Sequence, residues 1–139
     1  MTVDQLQLFT EREHRSLGAP PAPNAHGVYL EPDETLTLPS GRPGGRGQHA
    51  MPLAEIDLLH VPAFGWIYST SYHLGDTGRM SPLMLTRMAR GDSRDDALAR
   101  AVDELQTSMA SVVKCGHSDS ERTRKLARSV KAWAQGLLA

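Results

Sequence analysis

The sequence predicts an α+β fold: a short antiparallel meander of about three strands, packed against a C-terminal pair of antiparallel helices and preceded by an extended N-terminal tail. Three observations predict it. Residues 65–73 alternate so that Trp66, Tyr68, Thr70 and Tyr72 share one face, which is the period of a strand. From Leu98 onward the apolar spacing becomes 4, 3, 4, 3 through Val102, Leu105, Met109 and Val112, which is the period of a helix face. Nine prolines and twelve glycines concentrate in the first half, so much of residues 10–52 reads as loop.

A chain of 139 residues holds one modest domain, here expected over residues 54–139, with residues 1–53 as tail and loops. Hydrophobic residues are 40% and no apolar run reaches the roughly 20 residues of a membrane helix. A single cysteine, Cys115, excludes an internal disulfide, and the opening residues do not read as a basic-then-apolar leader, so a cytoplasmic protein is expected. The net charge of −1 is unevenly spread. Residues 1–40 carry Asp4, Glu11, Glu13, Glu31, Asp33 and Glu34 against Arg12 and Arg15, a balance of −4. Residues 118–139 carry Arg122, Arg124, Lys125, Arg128 and Lys131 against Asp119 and Glu121, a balance of +3. Opposite faces or partners are implied.

Taken in chain order, residues 10–14 extend a short helix at most, because the prolines at 20, 21 and 23 cannot continue one. Residues 28–38 offer one or two short strands, with Pro32-Asp33 as a hairpin turn. Residues 40–47, with two arginines and four glycines, read as a flexible loop. Residues 55–61 form a strand, 65–73 the strongest one, Gly75-Asp76-Thr77-Gly78 a reversal, and 82–88 the partner strand. Ser93 caps a helix over 93–114 with acids in its first turn, and Ser118 to Glu121 has the capping-box pattern of a second over 119–138. The apolar stripe of that second helix is Leu126, Val130, Trp133 and Leu137.

Gln5-Leu6-Gln7-Leu8-Phe9 is a short apolar hook ahead of the loop-rich region. It resembles the linear motif by which bacterial replication and repair proteins dock on the DNA polymerase sliding clamp: Gln-Leu, one free position, Leu-Phe. The resemblance implies that Leu8 and Phe9 fill an apolar pocket of the clamp, that Gln5 hydrogen-bonds at its rim, and that Leu6 supports the contact. The competing reading is an N-terminal strand or turn whose Val3, Leu6, Leu8 and Phe9 cover the body of the protein itself.

A second resemblance rests on Trp66, Tyr68, Gly78, Ser81-Pro82-Leu83, Arg94, Ala97, Ala101 and Glu104-Leu105. Residues 66–105 are similar to a small strand–strand–helix module of phage and plasmid proteins, sometimes adjoining partition-type nuclease or DNA methyltransferase domains. It implies a mobile-element context and carries no activity over.

Catalytic and metal chemistry find little footing. Cys115 and His117 suit zinc as thiolate and imidazole, yet they make half a tetrahedral site at a helix end and read as a C-cap turn. Residues two apart on a turn rarely pair as nucleophile and base, so a cysteine hydrolase is not expected. Ser69, Ser71 and His73 lie along one strand face near Asp76, more the pattern of a solvated face than of a triad. The glycines at 41–47 lack the Lys-Ser/Thr ending of a phosphate loop, although Arg42 and Arg46 suit a nucleic-acid-touching arm. On the last helix Arg124, Arg128 and Lys131 recur at i, i+4 and i+7, with Arg122 and Lys125 beside them, a face fit for phosphates or an acidic protein. It has no interleaved aromatics for stacking bases, so any nucleic-acid contact would be to backbone.

The expected function is therefore non-enzymatic: an adaptor or inhibitor from a phage, plasmid or other mobile element that binds a host protein complex, without cofactor or metal. The sliding clamp is the named candidate partner, and an anti-defence inhibitor is equally compatible. The alternative is an accessory nucleic-acid binder using the basic last helix.

Overall fold

A computed structural model describes residues 20–40, 51–75, 77–114 and 121–139. They form an α+β arrangement: five antiparallel strands, β1 (Glu34–Leu38), β2 (Ala54–Val61), β3 (Gly65–His73), β4 (Gly78–Met80) and β5 (Arg90–Gly91), then helices α1 (Arg94–Lys114) and α2 (Glu121–Gly136). The sheet order is β1-β2-β3-β4, with β5 also on β3. Since β2 pairs β3 from Ala54↔Tyr72 to Val61↔Gly65, β4 and β5 share the other edge of β3.

Alternation in β2 and β3 decides the layers. Ala54, Ile56 and Leu58 lie opposite Tyr72, Thr70 and Tyr68, and this face meets the helices. The expected face of Trp66, Tyr68, Thr70 and Tyr72 is thus the helix-facing side. From α1 come Ala97, Leu98, Ala101, Val102, Leu105 and Met109, all buried. The α2 stripe is rotated from its expected phase: Thr123, Ala127, Val130 and Ala134 are buried, while Leu126, Trp133 and Leu137 pack at its margins. Small residues let the helix axes approach, and the large side chains then straddle the contact.

The opposite face carries a second, smaller core of Tyr29, Leu59, Val61, Ile67 and Leu83, joined by Phe64. It explains two departures from expectation. Residues 82–88 are not the partner strand of β3; Gly78–Met80 is, in register His73↔Gly78 and Ser71↔Met80. Pro82 has no N–H for the ladder, and the chain leaves the edge to bury Leu83 in the second core. Likewise residues 28–30 do not fold back on 34–38: Tyr29 donates its N–H to the Leu83 carbonyl at 2.8 Å and Val28 bridges Met84. Glu34–Leu38, which lies in the segment expected as tail, instead extends the sheet as edge strand β1, from Glu34↔Leu58 to Leu38↔Ala54.

Two contacts seat the start of α1 on the sheet. Arg94 donates Nη2 to Glu34 Oε1 at 2.6 Å and Nε to Oε2 at 2.9 Å, a two-pronged bridge from the first helical turn to β1. At the β5–α1 junction a Cβ on Gly91 would clash with the backbone nitrogen and Cα of Ala97, so only glycine allows strand and helix to approach this closely. The helix start itself follows the sequence: Ser93 Oγ accepts the Asp96 N–H at 3.0 Å, and Asp96 Oδ2 accepts that of Asp92 at 3.0 Å.

Replacing Gly91 with Ala is expected to lower stability by about 3 kcal/mol, because both clashing partners are backbone, and chemical denaturation measures it. The Arg94 hydrogen bonds hold the Glu34 carboxyl below its usual pKa despite partial burial. A carboxylate with a lowered folded-state pKa adds stability above its unfolded value and loses it as pH falls through the folded one. Glu34→Gln should therefore be less stable than wild type at neutral pH, with the difference vanishing in acid. Denaturant midpoints across the acid range test this.

Candidate functional site

The interrupted edge of β3 creates a groove open to solvent. β5 pairs with Trp66 and Ile67 and β4 with Ser71, Tyr72 and His73. Between them residues 81–89 swing off the edge and return, tied by the Tyr68 N–H to the Ala89 carbonyl at 3.2 Å and by the Tyr68 hydroxyl to the Met88 carbonyl at 3.3 Å. A groove of about 900 Å³ results. Tyr68 and Ser69 form its floor, residues 81–89 one wall, and the polar face of α1 the other.

The two walls differ in chemistry. The loop wall presents Met84, Leu85 and Met88; Leu85 is 47% and Met88 89% exposed. The helix wall presents Asp96, Arg100, Asp103 and Glu104, three carboxylates against one guanidinium. Arg100 Nε reaches Asp96 at 3.3 Å, and Glu104 Oε1 accepts from Thr70 Oγ1 at 3.2 Å and from Arg79 at 3.1 Å. Burial, and then the neighbouring Glu104 charge, push the Tyr68 phenol above its usual pKa, so it stays a neutral donor.

On the other face of the sheet Asp57 sits between hydroxyls. Its Oδ1 accepts from Thr35 at 2.8 Å and its Oδ2 from Ser69 at 3.5 Å. Burial raises its pKa, against the pull of those hydrogen bonds, and burial with the Asp57 charge raises that of Glu55. Asp57, Thr35 and Ser69 make a satisfied cross-strand cluster. Among the described residues no group of three or more His, Cys, Asp and Glu side chains is arranged to hold a metal ion. Nor is any described helix long and apolar enough to cross a membrane.

The sequence-derived sites fall differently. Gln5, Leu6, Leu8 and Phe9 lie outside the described residues, as do Arg42, Arg46, Cys115 and His117. The five bases of α2 are all described. Arg122, Lys125, Arg128 and Lys131 are exposed, away from the buried stripe, and Arg124 is half-buried. Glu121 engages two of them, Arg124 at 3.4 Å and Arg128 at 3.3 Å, which trims the positive field at the start of the helix. The residues behind the module resemblance serve several contacts: Tyr68, Ser81, Pro82 and Glu104 line the groove, Ala97, Ala101 and Leu105 are core, and Arg94 holds β1.

The groove is hidden in a sequence whose residues 82–88 read as a strand. A signal was present: Met80, Met84, Leu85 and Met88 give apolar side chains to both phases of a period-2 pattern, which no strand with one solvated face would do. Comparison of the chain with family models, with curated proteins and with solved structures found no match.

Proposed function

We propose that this protein acts by binding rather than by catalysis, as a cytoplasmic adaptor or inhibitor of a phage, plasmid or other mobile element that engages a host protein complex. The sliding clamp is the partner proposed, and the observation that carries it is the Gln5-Leu6-Gln7-Leu8-Phe9 match, four fixed residue types at their required spacing. Two features support the reading. The hook is followed by a proline-rich stretch suited to a tether, with Pro20, Pro21 and Pro23. Among the described residues with shifted pKa values, Glu34 and Arg94 form an ion pair, Asp96 caps a helix and Glu55 and Asp57 lie in the sheet, while Tyr68 and Asp96 border the groove, where Tyr68 donates to the Met88 carbonyl and Asp96 pairs with Arg100. An inhibitor of a host defence complex would use the same kind of contact.

The test is retention on immobilised, purified clamp. Wild type should be retained, and Phe9→Ala should lose at least about tenfold in affinity at an unchanged melting temperature, as expected for a buried anchor. Failure of the wild type to bind ends the clamp proposal.

A second reading is favoured by the exposure of Arg122, Lys125, Arg128 and Lys131 on the outer face of α2: accessory binding to the nucleic-acid backbone. Its affinity should fall steeply with salt, and charge reversal at Arg124 and Arg128 should flatten that slope by about two phosphate contacts. A shallow slope in the wild type, measured by fluorescence anisotropy, removes it.

A further inference from the structure

We propose that the groove between residues 81–89 and α1 docks a basic amphipathic segment of a partner protein. This goes beyond the proposed clamp contact, uses no residue of the hook, and stands or falls separately.

Three observations carry it. First, the groove follows from the ladder: β3 is paired at Trp66–Ile67 and Ser71–His73, so residues 81–89 stand away from its edge and leave Tyr68 and Ser69 as a floor. Its volume of about 900 Å³ suits several side chains of a docked segment.

Second, the apolar wall is exposed to solvent. Leu83, in the same segment, is 4% exposed, whereas Met88 is 89% and Leu85 47%. Met84 and Met88 are unbranched and polarisable, so they adapt to differently shaped apolar side chains as surfaces that accept amphipathic helices do.

Third, the facing wall selects the sign of the occupant. α1 turns its apolar side to the core through Leu98, Ala101, Val102 and Leu105, and the groove receives Asp96, Asp103 and Glu104 against Arg100 alone. Arg100 is itself held by Asp96, and Arg79 pairs with Glu104, so exposed Asp103 gives the wall its net negative character. A phosphate-bearing ligand would be repelled. A segment with leucines on one face and lysines or arginines flanking them would satisfy both walls at once.

The experiment uses the full chain labelled at its methionine methyls, and two model helical peptides of equal length and leucine pattern, one carrying lysines and the other glutamates. The lysine peptide is expected to shift the Met84 and Met88 signals and leave buried Met109 in place. Its affinity should drop about tenfold on Asp103→Lys, an exposed helix position that leaves the fold intact, and should fall with salt. Equal binding of the glutamate peptide, shifts centred on Met51 or Met80, an unchanged affinity for Asp103→Lys, or no binding of the lysine peptide would each overturn the proposal. No clamp is present in this titration, so its failure leaves the docking of residues 5–9 untouched.

Discussion

Strand β3 is buried on both faces, and the paths of the segments around it follow from that burial. Ile67, Tyr68, Ser69 and Thr70 are consecutive and all buried, so each side of the sheet must be covered there by different parts of the chain. The register of β3 against β2 sets which side chains need which cover. Leu58 and Tyr68 require the helices; Leu59 and Ile67 require Tyr29 and Leu83. A slip of one residue would exchange the two sets and expose both cores.

That demand shapes the path of the chain on either side. Residues before β1 bring Tyr29 under the sheet, and residues after β4 bring Leu83 to meet it, so that the N-terminal segment and the 81–89 excursion pair with each other across Val28 and Met84. The same excursion interrupts the outer edge of β3. Groove and second core are thus two results of one event: Leu83 goes inward, and the flanking methionines and Leu85 are left outward. An edge of unpaired backbone invites wrong association, and the excursion returns to this one at Ala89, whose carbonyl accepts the Tyr68 N–H.

The charges are laid out by the same frame. β1 and α1, sixty residues apart in sequence, meet through Glu34 and Arg94, which locks the helix start over the sheet edge. With its apolar stripe turned to the core, α1 carries its carboxylates into the groove, while α2 carries its lysines and arginines outward. The acidic side of α1 and the basic side of α2 thus belong to different elements of the fold.

The features legible from the amino-acid order are local in origin. The strong alternation of 65–73 and the heptad-like spacing of 98–112 need only nearest neighbours to be legible, and so did the Ser93 cap, which the Asp96 N–H satisfies as expected. The basic residues of α2 were legible for the same reason, since helical spacing alone puts Lys125, Arg128 and Lys131 on adjoining outer positions. The tertiary structure alone decided the membership of β1, the fate of residues 82–88 and the phase of α2. Thr35 and Leu36 are unremarkable until Asp57 and Ile56 lie opposite them. Pro82 could end a strand or begin one, and the apolar surface of Leu59 and Ile67, distant in sequence, drew the following Leu83 away from the ladder. In α2 the large apolar residues marked the stripe by hydrophobicity, but the close approach of α1 favoured Ala127 and Ala134 at its centre. In each case the deciding energy lies between segments far apart in sequence, where periodicity and propensity have nothing to report.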